Sequence, residues 1–116
     1  MKVCYTTQNK SLSVEIEADS HKSLWQQLAS FQEVFEESAC GKCKGTDLRF
    51  AVRKATDEKG KTYEYHELRC NTCKAKLAYG VLDDGKGGLF PKRKEDGKWK
   101  GSNGWVKWNP EKKVEE

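Results

Sequence analysis

Cysteine spacing is the feature of this 116-residue chain that points most directly to a chemistry. Four of the five cysteines form two C-x-x-C pairs, Cys40 with Cys43 and Cys70 with Cys73, separated by 26 residues. Two such short turns, or knuckles, can place four thiolates around one tetrahedral metal ion when the chain brings them together. The pattern therefore predicts a metal site made of these four cysteines.

Disulfide bonds and redox-active cysteine pairs are the alternative readings of this pattern. Disulfides need an oxidising compartment, and the first residues, Met1 to Thr7, lack the apolar segment of a secretory signal. Neither C-x-x-C pair follows a βαβ pattern, which a thioredoxin-like motif would require. A metal site is favoured over both, and the unpaired Cys4 is interpreted as a small strand residue.

Zinc is the expected ion, with iron as the alternative, because four thiolates suit the tetrahedral coordination of Zn²⁺. Sulfur fills all four positions, so no position stays open for a water molecule, and we expect a structural role. Zn²⁺ with four thiolates carries −2, which lowers the formal charge from +4 to about +2. Lysines at 42, 44, 74 and 76 can offset this local negative charge.

The segment between the knuckles predicts the element that brings them together. Leu48, Phe50 and Val52 alternate with polar or small residues, which indicates a strand, and a second alternating run covers 63–68. A turn at 57–61 makes the two strands a hairpin, and a short third strand follows near Leu77 and Tyr79. This unit is expected to span 40–80.

Residues 1–39 predict a β-hairpin followed by one helix. Val14 and Ile16 alternate with polar residues in one strand, and the preceding run supplies its partner. The helix is expected from about Ser20 to Glu37, with a cap from Ser20 or from Ser23 in a capping box. Its apolar residues repeat at helical spacing and should be buried against the sheet: Leu24, Leu28, Phe31 and Phe35. Trp25 and Val34 are expected to widen this face.

Residues 81–110 are rich in glycine, lysine and tryptophan, and 111–116 are expected to be a flexible tail. Cations alternate with aromatic rings in this third segment, as in proteins that stack bases and contact phosphates. Together with two arginines of the ribbon hairpin they form the predicted nucleic-acid contacts: Arg49, Arg53, Phe90, Lys92, Arg93, Lys94, Lys98, Trp99, Lys100, Trp105 and Lys107. The alternative is that the tryptophans fill a small core; exposing Trp99, Trp105 and Trp108 together is costly, so at least one should be buried.

Charge and hydropathy narrow the class of protein. The chain carries 22 basic and 18 acidic residues, and acidic side chains outnumber basic ones only in 1–39. No stretch approaches the length of a membrane span, so we expect a cytoplasmic protein with no membrane partner. The predicted fold is α+β: an N-terminal hairpin and helix, an antiparallel ribbon and the basic aromatic segment.

The two knuckles and the hairpin between them resemble a zinc ribbon over 40–80. Many ribbons have glycine directly after the second cysteine of each knuckle, where this chain has Lys44 and Lys74. More loosely, the layout is similar to small zinc-ribbon proteins encoded by phages and prophages, on the stretches 31–36, 89–94 and 104–107. The resemblance implies a ribbon fold with structural zinc, and for a phage protein the host cytoplasm; it implies no single activity, since ribbons bind nucleic acids and proteins alike.

Three classes of function remain. Binding of nucleic acid, single-stranded and weakly sequence-specific, is the first hypothesis. Docking to a protein, as an inhibitor or regulator of a larger assembly, is the second, because an acidic first segment and basic remainder make the chain dipolar. An enzyme is not expected, since the sequence has no Ser-His-Asp arrangement, no phosphate loop and no open metal position. No small-molecule substrate is therefore predicted.

Overall fold

The structure, a computed structural model, describes residues 1–116 and consists of two compact units, Met1–Ser38 and Ala39–Glu116. Most elements are strands and there is one helix, so the α+β class holds. That helix lacks the length and apolar character needed to cross a membrane. Each unit is described by itself below.

The first unit opens with the hairpin that the alternating residues predict. Strand β1 (Lys2–Thr6) pairs antiparallel with β2 (Ser13–Glu17), and Val3 lies opposite Ile16. The N–H of Thr7 donates to the carbonyl of Leu12 at 2.9 Å and closes the connection. Ile16 is buried, whereas its neighbours in β2 are more exposed, because alternate side chains point to opposite faces of a strand.

Helix α1 (His21–Phe35) follows, capped by Ser20, whose hydroxyl oxygen accepts the N–H of Ser23 at 3.1 Å. It ends two residues before the predicted Glu37. Val34 is buried and the rest of the predicted apolar face is half-buried: Leu24, Leu28, Phe31 and Phe35. The prediction that Trp25 widens this face is wrong, because its side chain is 78% exposed. A two-stranded sheet is narrow, and Trp25 is one residue, or about 100° around the helix, from Leu24.

The second unit is built on an antiparallel sheet in the order β3-β4-β5-β6. Its strands are β3 (Leu48–Thr56), β4 (Thr62–Cys70), β5 (Lys76–Val81) and β6 (Leu89–Pro91). The first two form the hairpin between the knuckles. Strand β9 (Trp105–Val106) pairs with the start of β5, where Trp105 lies opposite Leu77.

Register separates this sheet into an apolar face and a charged one. Leu68, Leu77 and Trp105 lie opposite one another across β4, β5 and β9, and all three are buried. On the other face Arg49 lies opposite Arg69, which lies opposite Lys76. We call this second face the cationic face; on β3 and β4 it also carries Arg53, Tyr63, Tyr65 and Glu67, with two alanines between them.

The remaining strands are short and lie towards the C-terminal end. They are β7 (Lys94–Glu95), β8 (Lys98–Trp99), β10 (Trp108–Asn109) and β11 (Val114–Glu115). Strands β7 and β8 pair with each other, as do β10 and β11. Within 111–116, for which the sequence predicted a flexible tail, Val114 and Glu115 pair with β10, and Lys107 and Glu116 exchange two backbone hydrogen bonds.

Candidate metal centre and basic cleft

The two cysteine knuckles have the same backbone geometry. In the first, the N–H of Lys44 donates to the carbonyl of Cys40 at 3.0 Å, and the N–H of Cys40 donates to Gly45 at 2.8 Å. The second repeats the first of these bonds with Lys74 and Cys70 at 3.1 Å. Each knuckle is therefore a tight turn that points both of its sulfur atoms to one side.

The residue after each knuckle is a lysine in a left-handed conformation, with φ of 65° at Lys44 and 69° at Lys74. Glycine adopts this conformation without a steric penalty, which is why it is common at such positions. Both lysines turn back onto their own knuckle: Lys44 Nζ lies 3.4 Å from the carbonyl of Gly41, and Lys74 Nζ lies 3.0 Å from that of Asn71. Each contact holds the ammonium group of the lysine against the backbone of its own knuckle.

The four sulfur atoms form a compact cluster. Cys40 Sγ lies 3.6 Å from Cys73 Sγ, Cys43 Sγ lies 3.6 Å from Cys70 Sγ, and all four lie within 4.8 Å of one another. A tetrahedron with metal–sulfur bonds of ~2.3 Å has sulfur–sulfur edges of about 3.8 Å. The cluster therefore fits a metal ion such as zinc, as the spacing predicted. Cys4 lies on β1, in the other unit, and takes no part.

Backbone N–H groups surround the sulfur atoms and favour thiolates. The N–H of Lys42 lies 3.3 Å from Cys40 Sγ, and that of Gly45 lies 3.3 Å from Cys43 Sγ. The N–H of Cys73, followed by other hydrogen bonds, lowers the pKa of Cys70 to about 6. The N–H of Gly45 acts to lower the pKa of Cys43, but hydrogen bonds with the neighbouring thiols, first that of Cys70, together with desolvation raise it to about 11. Thiols packed this closely share protons through hydrogen bonds, and a bound metal cation would displace those protons.

The metal centre is joined to the core of the second unit. Cys40 and Cys70 are buried, whereas Cys43 is exposed. Cys70 is also the last residue of β4, opposite Leu48 on β3, so the hairpin ends where the second knuckle begins. Asn71 continues this link, since its N–H donates to the carbonyl of Asp47 at 2.9 Å.

A cleft of about 320 Å³ lies on the cationic face beside the second knuckle. Cys70 and Asn71 belong to its wall. Five cations and one ring also line it: Arg49, Arg53, Arg69, Lys74, Lys76 and Trp108. We call this feature the basic cleft. The indole of Trp108 is 56% exposed, so it offers a ring surface beside the cations.

A buried carboxylate organises three of these cations. Glu67 is 4% exposed, and its oxygens lie 2.6 Å from Arg69 Nη2, 3.3 Å from Lys76 Nζ and 3.7 Å from Arg53 Nε. Burial alone would favour the neutral acid, but Arg69 and then Lys76 hold the pKa of Glu67 below its usual range. The ionised carboxylate thus fixes three cations at one place on the sheet.

Lys76 and Arg49 differ in their ion-pair partners. Lys76 forms a second ion pair, at 2.9 Å, with Glu115 of β11, and this glutamate also lines the cleft. Arg49 forms no ion pair at all. Trp108 lines a second hollow of about 310 Å³, to which Lys42 and the predicted contact residue Lys107 belong. The ring of Trp108 is therefore accessible from two hollows.

The predicted nucleic-acid contacts are only partly brought together. Arg49 and Arg53 line the basic cleft, but none of the contact residues predicted at 90–100 does. Trp105 is a correction: it is 1% exposed and packs in the core, so no base can stack on it. Phe90 is half-buried against Gly80, and Arg93 donates to the carbonyl of Asn103 at 2.7 Å.

The other predicted contacts lie at the surface or close to it. Trp99 is exposed, with Lys94 Nζ 4.8 Å from the centre of its ring. Lys92 and Lys98 are exposed and Lys100 is half-buried. The hairpin of β7 and β8 is thus a second place at which cations lie beside an exposed ring.

Arg69, Lys74, Lys76 and Trp108 line the cleft but were absent from the predicted contacts. One signal was available for Arg69, because it continues the odd-numbered series of β4 that begins at Tyr63 and Tyr65. Trp108 and Glu115 lie on the paired strands β10 and β11, and Glu115 reaches the sheet through its ion pair with Lys76. Local periodicity does not reveal such contacts.

No protein family matches the chain, and neither a curated protein nor a solved structure does.

Proposed function

We propose that this chain is a small zinc-ribbon nucleic-acid-binding protein that prefers single strands and has weak sequence specificity. The observation that carries the proposal is the basic cleft, in which five cations lie beside the exposed ring of Trp108. The proposed activity is binding without catalysis. The zinc-ribbon and phage resemblances add to the proposal a phage or prophage origin and a place in the host cytoplasm.

The charges of the cleft support binding of phosphate groups. Five cations outnumber the two carboxylates, Glu67 and Glu115, and an excess of about one positive charge remains when the −2 of the metal-loaded cysteines is included. Arg49 forms no ion pair. Arginine can contact two phosphate oxygens at once through its planar guanidinium. Neutralising phosphates releases counterions, so binding of this kind weakens steeply as salt rises.

Zinc would have a structural role in this proposal. Cys40, Cys43, Cys70 and Cys73 would hold it, and the ion would fix both ends of the β3–β4 hairpin. Cys70 and Asn71 form part of the cleft wall, so the shape of the cleft depends on the knuckle. Loss of the metal should therefore weaken ligand binding indirectly.

The β7–β8 hairpin supports a smaller, second contact region. Lys94 lies over the ring of Trp99, and Lys92 and Lys98 are exposed nearby in sequence. We assign the larger share of affinity to the cleft, because it concentrates more cations around a defined hollow. Lysine and tryptophan of the hairpin would add sequence-independent affinity.

Docking to a protein is the second candidate function. It is favoured by Trp25, whose indole is 78% exposed on a helix of the acidic first unit. Exposed tryptophans often anchor protein interfaces. Replacing Trp25 with alanine should leave nucleic-acid binding unchanged, so this residue distinguishes the two functions.

Fluorescence anisotropy with labelled single- and double-stranded DNA and RNA, titrated at several salt concentrations, tests the proposal. We expect single strands to bind more tightly, and Arg49→Ala or Arg69→Ala to reduce the salt slope by about 1 each. Lys22→Ala is the matched control, since this exposed lysine lies on α1 in the other unit. Absence of binding to every nucleic acid at low salt would favour protein docking instead.

A further inference from the structure

The odd-numbered residues of β4 form a line of aromatic and charged side chains on the cationic face. Tyr63, Tyr65, Glu67 and Arg69 share this face because alternate residues of a strand point the same way. Both tyrosines are exposed. At ~3.4 Å per residue, the line from Tyr63 to Arg69 is about 20 Å long. It therefore leads from the turn of the hairpin to the basic cleft.

Each tyrosine of this line carries a cation over its ring. The guanidinium carbon of Arg53 lies 4.4 Å from the centre of the Tyr65 ring, and Lys61 Nζ lies 5.2 Å from that of Tyr63. Arg53 also lies 3.7 Å from Glu67, which is buried and bonded to Arg69. Arg53 thus joins the ring of Tyr65 to the carboxylate that also holds Arg69.

We infer that the cationic face is a track for a single-stranded nucleic acid, on which Tyr63 and Tyr65 stack bases while the basic cleft receives phosphates. The inference rests on the proposed function and deepens it. Aromatic side chains on an open sheet can stack two or three bases. With Trp108 at the cleft, the track has three exposed rings and would hold about three nucleotides.

The rings favour a single strand over the other polyanions that the cleft could attract. The bases of a duplex are already stacked on one another, so a tyrosine ring cannot stack on a base without separating it from its neighbours. An acidic peptide would contact the cations but has no planar group to occupy the rings. A requirement for the ring of Tyr63 or Tyr65 is therefore the property that identifies a single strand.

The test compares two double variants in binding a fluorescein-labelled 12-residue oligo-dT. Tyr63→Leu with Tyr65→Leu should lower affinity by about 5- to 150-fold per ring, with little change in salt slope. Tyr63→Phe with Tyr65→Phe is the matched control; it removes only the hydroxyls, including the 3.3 Å bond from Tyr63 to Asp57, and should bind as the parent does. Thermal unfolding of each variant shows whether it is folded.

A measurement on the parent chain makes the test independent of the variants. The aromatic NMR signals of Tyr63 and Tyr65 should shift when oligo-dT is added, and unchanged signals in a saturated complex would overturn the track. If Arg49→Ala and Arg69→Ala weaken binding but the leucine variant does not, the track is wrong and the proposed function stands. Binding of no oligonucleotide overturns both, and equal binding of a 12-residue poly-glutamate peptide overturns the choice of ligand.

Discussion

The indole of Trp105 packs against Gly41 so closely that a β-carbon at Gly41 would lie 2.5 Å from Trp105 Cδ1. Gly41 is inside the first cysteine knuckle, and Trp105 is opposite Leu77 in the core. The indole N–H is buried and donates to no group of the protein, so the contact of the ring with Gly41 is one of packing. This contact joins the metal centre to the apolar face of the sheet.

Gly41→Ala should therefore destabilise the second unit and lower its metal content. The added methyl group has no room, and forcing extra volume into a packed site costs about 1–3 kcal/mol. Thermal unfolding and metal analysis measure both effects. Gly88→Ala is the control, because its new methyl group would meet only the side chain of the exposed Leu82. Equal stability of the two variants would contradict the contact.

Cys70→Ser should abolish stoichiometric metal binding and unfold the second unit at room temperature or slightly above. Cys70 is buried and its sulfur lies 3.6 Å from that of Cys43, so its loss removes a ligand from the centre of the cluster. Cys4→Ser is the matched control, since Cys4 is exposed on β1. Purified protein that contains neither zinc nor iron in a one-to-one ratio would refute the metal centre.

Glu67→Gln should cost about 1–3 kcal/mol of stability at pH 7, because the charge-assisted hydrogen bond to Arg69 is lost. The pKa of Glu67 is lowered in the folded protein, so its stabilising effect is complete above the unfolded value near 4.5 and is lost as pH falls through the folded pKa. The difference in thermal midpoint between parent and variant should thus narrow below about pH 4.5. A difference that stays constant down to pH 2 would contradict an ionised Glu67.

Glu115→Gln should increase the affinity for single-stranded nucleic acid by about two- to five-fold at low salt. Glu115 pairs with Lys76 at 2.9 Å inside the cleft, and removing its charge leaves Glu67 as the carboxylate partner of Lys76, so the cleft becomes more positive towards a phosphate. The gain should shrink at high salt because salt screens the attraction between the cleft and phosphates. Glu111→Gln, which removes a glutamate that forms no ion pair, is the control. A loss of affinity in Glu115→Gln would mean that the carboxylate helps to build the site.

Leu28→Ala and Trp25→Ala should differ clearly in stability. Leu28 is half-buried on the apolar face of α1, so its truncation should cost about 1–2 kcal/mol. Trp25 is largely exposed and should tolerate alanine within about 0.5 kcal/mol. Chemical denaturation of both variants gives the comparison. If Trp25→Ala is the more destabilising, the orientation of the helix face is different from that described.

Local patterns predicted much of the fold. The C-x-x-C spacing identified the sulfur cluster, alternation identified β2 and β3, and Ser20 was among the predicted caps. Each of these features depends on residues that are close in sequence. The same periodicities predicted the α+β class.

Local patterns could not show which tryptophans are buried and which are exposed. Trp105 and Trp108 are three residues apart, on strands of only two residues each, yet one is buried and the other exposed. Which ring faces the core depends on the pairing of β9 with β5 and of β10 with β11, both set by tertiary contacts. The basic cleft was incomplete in the prediction for the same reason, since its cations come from β3, β4, β5 and the second knuckle.

Cys70 belongs to two places at once: it is part of the sulfur cluster and part of the wall of the basic cleft. A metal ion in the cluster and an anion in the cleft would therefore each change the affinity of the protein for the other. Thermodynamic reciprocity requires the two changes to be equal in size. If metal loss weakens ligand binding tenfold, a saturating ligand raises the affinity of the protein for the metal tenfold. Chelator titrations with and without oligonucleotide would measure this coupling as one number.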